Sequence, residues 1–185
     1  DSSSTAHAVS KGIAGGSGGD TITNSGSITS MATAKDDSDS IAVAAAGGKT
    51  GMAFGVALAD ASSNSLAHSY GIDAGGEEAG AGPVAGDIVR NYGTIDVDAI
   101  SNTSTLSVGV VFSAELEGVV GGVSAAKGDS TAEAVAAGVR TGGGADTVSS
   151  EGTGSLSAVA QATSTSDSPR PSTTCSTVCR PPRKN

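Results

Sequence analysis

The segment GDTITNSGSIT, Gly19 to Thr29, returns as GDIVRNYGTID, Gly86 to Asp96, and more loosely as ADTVSSEGTGSL, Ala145 to Leu156. Each copy follows a glycine-rich bend and an approach ending in Gly-Ile or Gly-Val: AHAVSKGIAGG (Ala6–Gly16), LAHSYGIDAGG (Leu66–Gly76) and AEAVAAGVRTGG (Ala132–Gly143). The intervening blocks match as well, with Ser40–Ser65 resembling Thr105–Ser130 in spacing and character. A unit recurring at about 60 to 67 residues points to a repeat architecture whose stacked turns bury a narrow column between them.

Within a unit the alternation has period two, as at Ile22, Asn24, Gly26 and Ile28, or at Ala53, Gly55 and Ala57. Side chains of a strand alternate between its two faces, so the pattern reads as β. Glycine pairs at Gly47-Gly48, Gly75-Gly76 and Gly121-Gly122, and the triplet Gly142–Gly144, are expected to break these strands into short pieces. A unit divided in this way gives about three turns of roughly 20 residues each. The expected fold is all-β: a parallel β-solenoid of about 8 to 10 short-stranded turns over residues 1–168. Thr131–Arg140 has the alanine content of a helix, but its repeat partners contain Ser-Tyr-Gly and Ser-Lys-Gly, so strand is preferred.

The composition fits a slim interior. The chain has 185 residues with 28 Gly, no Trp, 2 Tyr and 2 Phe. Ala, Val, Ser and Thr fill a narrow column, whereas a wide globular core needs large aliphatic and aromatic groups. Abundant Gly and Ser also suit a disordered chain, but disorder gives no reason for sustained alternation. Asn24 and Asn91 fall at matching positions and are expected to form a hydrogen-bonded ladder at the bend. Gly26 and Gly93 follow them and are expected to supply positive φ.

The formal net charge is −9, and every side-chain acid lies at or before Asp167. Such a body repels nucleic acid and anionic membranes. No stretch of about 20 apolar residues is present, so neither a membrane helix nor membrane insertion is expected. The chain opens at Asp1 with no leader or initiator Met, and reads as a processed or truncated piece. Residues 169–185, PRPSTTCSTVCRPPRKN, carry four prolines and form a basic, extended C-terminal arm expected to dock on the body or on a neighbouring subunit. Cys175 and Cys179 have the wrong spacing for a redox pair and are too few for zinc, so a small disulfide loop is expected, with intermolecular pairing as the alternative.

Candidate chemistry is sparse. His7 and His68 precede equivalent Gly-Ile pairs and read as repeat echoes several turns apart, beyond shared ligation. Asp36, Asp37 and Asp39 offer oxygen ligands for calcium or form a solvated loop, and Glu77 with Glu78 makes a second acidic cluster. Gly15–Gly19 lacks the Lys-Ser/Thr of a nucleotide loop, and no Gly-x-Ser-x-Gly elbow occurs. No catalytic residue, cofactor or metal site is expected. Asn102-Thr103-Ser104 is a candidate N-glycosylation acceptor, and the many hydroxyls offer O-linked sites.

The motifs at Gly15–Thr29 and Gly86–Ile95 resemble the β-helical repeats of bacterial surface proteins, of the autotransporter-passenger and haemagglutinin-like adhesin type. The resemblance covers residues 5–165 loosely. It implies a secreted or surface-displayed, elongated protein with a structural or adhesive role. The expected function is a structural subunit of an extracellular filament that polymerises head-to-tail with copies of itself. A passenger fragment acting as spacer and binding surface is the alternative. A carbohydrate-active β-helix is third, weakened by the scarcity of aromatic residues.

Overall fold

The computed structural model describes residues 1–48, 51–75, 85–115, 118–168 and 173–177. It is all-β, a parallel β-solenoid. The ten strands are β1 (Ser2–Ala14), β2 (Thr21–Asn24), β3 (Ser27–Gly48), β4 (Gly51–Asp73), β5 (Ile88–Asn91), β6 (Thr94–Glu115), β7 (Gly118–Arg140), β8 (Thr147–Ser150), β9 (Ser155–Asp167) and β10 (Thr173–Thr177). They form three sheets, ordered β1-β4-β7-β10, β2-β5-β8 and β3-β6-β9. All neighbours are parallel except β10, which lies antiparallel on β7.

Each repeat makes one large turn of the coil, not three small ones. Thr21 pairs with Ile88 and Ser27 with Thr94, so the rung spacing equals the sequence repeat. The body therefore holds three rungs, where the sequence led us to expect 8 to 10 turns. The expected breaks at Gly47-Gly48, Gly75 and Gly142–Gly144 do fall at or just after the ends of β3, β4 and β7, but the long strands between them are not divided further. Gly121 and Gly122 do not end a strand; β7 runs through them. A Cβ on Gly122 would strike Val111 of the facing sheet, and one on Gly121 would crowd the Phe54 ring. These glycines admit neighbours instead of bending the chain. The result is strands of 22 and 23 residues, on the order of 70 Å long. Thr131–Arg140 lies in β7, so the helical alternative is excluded.

Two long sheets lie face to face as a blade, and the short sheet closes one end. Along the blade the interior is serine and alanine. Ser30 Oγ lies 2.9 Å from both Ser10 Oγ and Ser69 Oγ, and Ser65 Oγ bonds Ser101 Oγ, so single side chains span the gap between sheets. Ala32, Ala34, Ala67 and Ala99 fill the spaces between. Where three sheets meet, the space widens and larger residues appear: Ile28, Ile72, Val89, Ile95 and Val97. The Gly of each Gly-Ile or Gly-Val pair marks this transition. A Cβ at Gly12, Gly71 or Gly138 would overlap Ile28, Ile95 or Leu156 respectively. Replacing Gly71 with Ala therefore drives a side chain against Ile95, Val97 and the Gly138 carbonyl. We expect a loss of about 2 kcal/mol or more, measured as a lowered urea midpoint.

Candidate functional surface: stacked columns and open strand edges

At the corner before the short sheet, an aspartate occupies the same place in every rung. Asp20 N–H donates to Asp87 Oδ1 at 2.8 Å, and Asp87 N–H donates to Asp146 Oδ1 at 2.9 Å. The column has a direction: each rung donates to the carboxylate of the next. Asp87, in the middle rung, is 1% exposed. Asp20, at the first-rung end, has a buried Oδ2 with no hydrogen-bond partner. Replacing Asp87 with Ala strands the Asp20 N–H and is expected to cost about 1–3 kcal/mol. Asp20→Ala breaks no side-chain hydrogen bond described within the chain, so the same denaturation assay is expected to find it near wild type.

A second column lies four residues on. Asn24 and Asn91 are register partners, and Asn24 Nδ2 donates to Asn91 Oδ1 at 2.7 Å. Asn24 Oδ1 accepts the Gly26 N–H at 3.1 Å, and Asn91 Nδ2 donates to the Gly93 carbonyl at 3.1 Å. The positive φ expected of Gly26 and Gly93 is absent; among the described residues the positive-φ glycines are Gly16, Gly18, Gly51, Gly142, Gly144 and Gly152. Gly93 is required for another reason: a Cβ there would overlap the Gly26 carbonyl of the rung above. The third rung has Ser150 in the column, and its longer turn to β9 is accommodated by Gly152 at φ 66.

Near the same end, Asp73 is buried between two cations. Arg140 forms a fork to it at 2.7 and 2.8 Å, and Lys11 Nζ lies 2.5 Å away. The Arg140 guanidinium also stacks over Tyr70, 4.4 Å from the ring centre. Burial opposes ionisation of Asp73, but the hydrogen bonds from Arg140 and Lys11 outweigh it and hold the carboxyl below its ordinary value. These charges come from three rungs and clamp them together.

The other sequence candidates separate under strand geometry. Asp36, Asp37 and Asp39 lie within β3, not in a loop, so their side chains alternate between faces. Asp36 points inward, is 7% exposed and accepts the Asn64 N–H at 2.9 Å; Asp37 pairs with Lys35 outside. Among the described residues no group of three or more His, Cys, Asp or Glu is placed to hold a metal. His7 and His68 are not several turns apart, since one repeat is one turn. Their rings meet edge-on with centres 6.0 Å apart, and His68 also meets Tyr70. Asn102 sits half-buried in the middle of β6, between Lys35 and Thr163. Glu77, Glu78 and Cys179 lie outside the described residues. Cys175 stands in β10 opposite Gly121 of β7.

One surface feature escaped the sequence reading. In GMAFGVAL the alternation faces Gly and Ala inward and Met52, Phe54, Val56 and Leu58 outward, and those four are 51–84% exposed. Ile41, Val43 and Phe112 are likewise exposed on the opposite outer face. The signal was present as period-two spacing, but which set faces out depends on a facing sheet that the sequence does not display.

Both ends of the stack present backbone edges. β1, β2 and β3 form one edge and β7, β8 and β9 the other, the latter partly overlaid by β10. Comparison with protein-family models, curated proteins and solved structures found no match to this chain.

Proposed function

We propose that this chain is a structural subunit of an extracellular filament or stalk, in which the third rung of one copy stacks on the first rung of the next. The observation that carries the reading is the directional aspartate column. Continued across copies, the Asp146 N–H of one chain donates to Asp20 Oδ1 of the next, the carboxylate oxygen that accepts in both rung contacts within the chain. Ser150 likewise stacks on Asn24 as Asn24 stacks on Asn91. Open parallel edges with matching register favour pairing with another chain, and a head-to-tail contact that does not close generates a fibre.

Single-cysteine chains test the contact. Thr21 and Thr147 are both exposed and both pair with Ile88, so they lie two strands apart within one chain. That separation of about 9.6 Å exceeds disulfide reach. Mixing Thr21→Cys with Thr147→Cys chains, each in a Cys175→Ser, Cys179→Ser background, is expected to give a mixed disulfide dimer in preference to either like pair. Electron microscopy is expected to show fibres with a subunit rise of about 14–15 Å, three strand spacings. Dispersed short particles with no mixed dimer would overturn the reading and favour a monomeric spacer. Sugars on outward residues such as Asn102 are part of the same proposal; an intact mass of 17.5 kDa on material from its natural source would remove them.

A further inference from the structure

Among the described residues, head-to-tail stacking leaves two strand positions to be filled, one along Ser107–Glu115 of β6 beyond β9 and one along β4 before β1, and β10 stands at the second. β1 pairs with β4 only from Ala61 to Asp73. Along Gly51–Asp60 that edge of β4 carries no strand among the described residues. A notch lined by Asp1, Leu58, Ala59, Asp60, Ala126 and Lys127 opens where β1 begins. β10 occupies Val119–Val123 of β7, whose register partners in β4 are Met52–Val56. The first strand of a following copy belongs on Gly128–Arg140 of β7, the partners of Ala61–Asp73. Within one layer, then, β10 and the incoming β1 lie end to end without overlap. Together they cover most of β7 above and most of the next copy's β4 below.

We propose that β10 is a shared strand: it pairs with β7 of its own chain on one edge and with Met52–Val56 of the following copy's β4 on the other. This rests on the stacking reading above and adds to it the partner of the C-terminal arm. The physical case is hydrogen bonding. An edge strand presents a row of unpaired N–H and C=O groups, and an added strand satisfies them with main-chain bonds. In the free chain the outer edge of β10 and the edge of β4 at Met52–Val56 are both open among the described residues. Stacking brings these two edges into one ladder. The exposed Met52, Phe54, Val56 and Leu58 flank that ladder, so joining it also shields part of their surface.

The register makes the test specific. Cys175 is opposite Gly121, and Gly121 is opposite Phe54. Within one chain Cys175 and Phe54 are two strands apart, on the order of 9.6 Å and beyond disulfide reach. Across copies they become direct neighbours. Chains carrying Phe54→Cys, Cys175→Ser and Cys179→Ser are mixed with chains carrying only Cys179→Ser, under mild oxidation. The expected product is a mixed dimer severalfold more abundant than either like dimer, with peptide mapping locating the 54–175 bond. The Thr21/Thr147 pair is run in parallel. If that pair cross-links and the 54–175 pair does not, the shared strand is overturned while stacking stands. If neither cross-links, both fall. Because Phe54 is 63% exposed, its replacement spares the core; circular dichroism of each variant verifies that the β-fold is intact.

Discussion

Gly93→Ala is expected to unfold the middle of the solenoid, while the repeat-equivalent Gly26→Ala is expected to fold normally. A methyl group on Gly93 meets the carbonyl of Gly26, a backbone atom fixed by the Thr94 N–H bond at 2.9 Å, and cannot be relieved by a rotamer change. The rungs must separate at the Asn24–Asn91 bond, and the expected loss is about 3 kcal/mol or more. At Gly26 the added methyl meets nothing closer than 4.0 Å, the Asn24 Oδ1. Urea titration of the two variants side by side makes the comparison. Equal effects would mean that glycine is required there for backbone conformation and not for close stacking. Gly26 also lies on the edge proposed to meet the third rung of the preceding copy, so Gly26→Ala is expected to shorten filaments without lowering the urea midpoint.

Asp73→Ala is the second large effect. It leaves Lys11 and Arg140 facing each other across a site where the aspartate is 2% exposed. Breaking a buried ion pair costs about 3–5 kcal/mol. Because the Lys11 and Arg140 side chains are 40% and 31% exposed, the lower end, about 3 kcal/mol, is expected. The pH dependence follows from the depressed carboxyl. Its contribution is complete above the ordinary value of 3.8 and is lost as pH falls below that toward the folded value. Asp73→Asn is expected to remove this part of the acid limb, giving a flatter stability profile below about pH 4 than wild type, read from urea midpoints across pH. A variant profile parallel to wild type would assign the acid sensitivity elsewhere.

The two glycines illustrate what was legible. Their recurrence after Asn24 and Asn91 marked a repeated bend, and the asparagine column could be read from spacing alone. Their reason for being glycine could not, because it depends on the distance between rungs. The aspartate clamp was missed entirely. Lys11, Asp73 and Arg140 are not at one repeat position: Asp73 is opposite Arg140 and Ala14, while Lys11 is opposite Tyr70. A search for repeated residues passes over charges that meet diagonally.

The sequence by itself determined that the chain is all-β, that its units stack in parallel, and that its interior is narrow. These follow from period-two alternation, a repeat of about 60 to 67 residues and the shortage of bulky side chains, all of which are local or countable. Only the tertiary structure decided that one repeat is one turn. Gly-Gly is compatible both with a bend and with a strand crossed closely by another chain segment. Local sequence cannot distinguish the two, because the deciding atoms, Val111 against Gly122 and Phe54 against Gly121, belong to residues brought together by the coil.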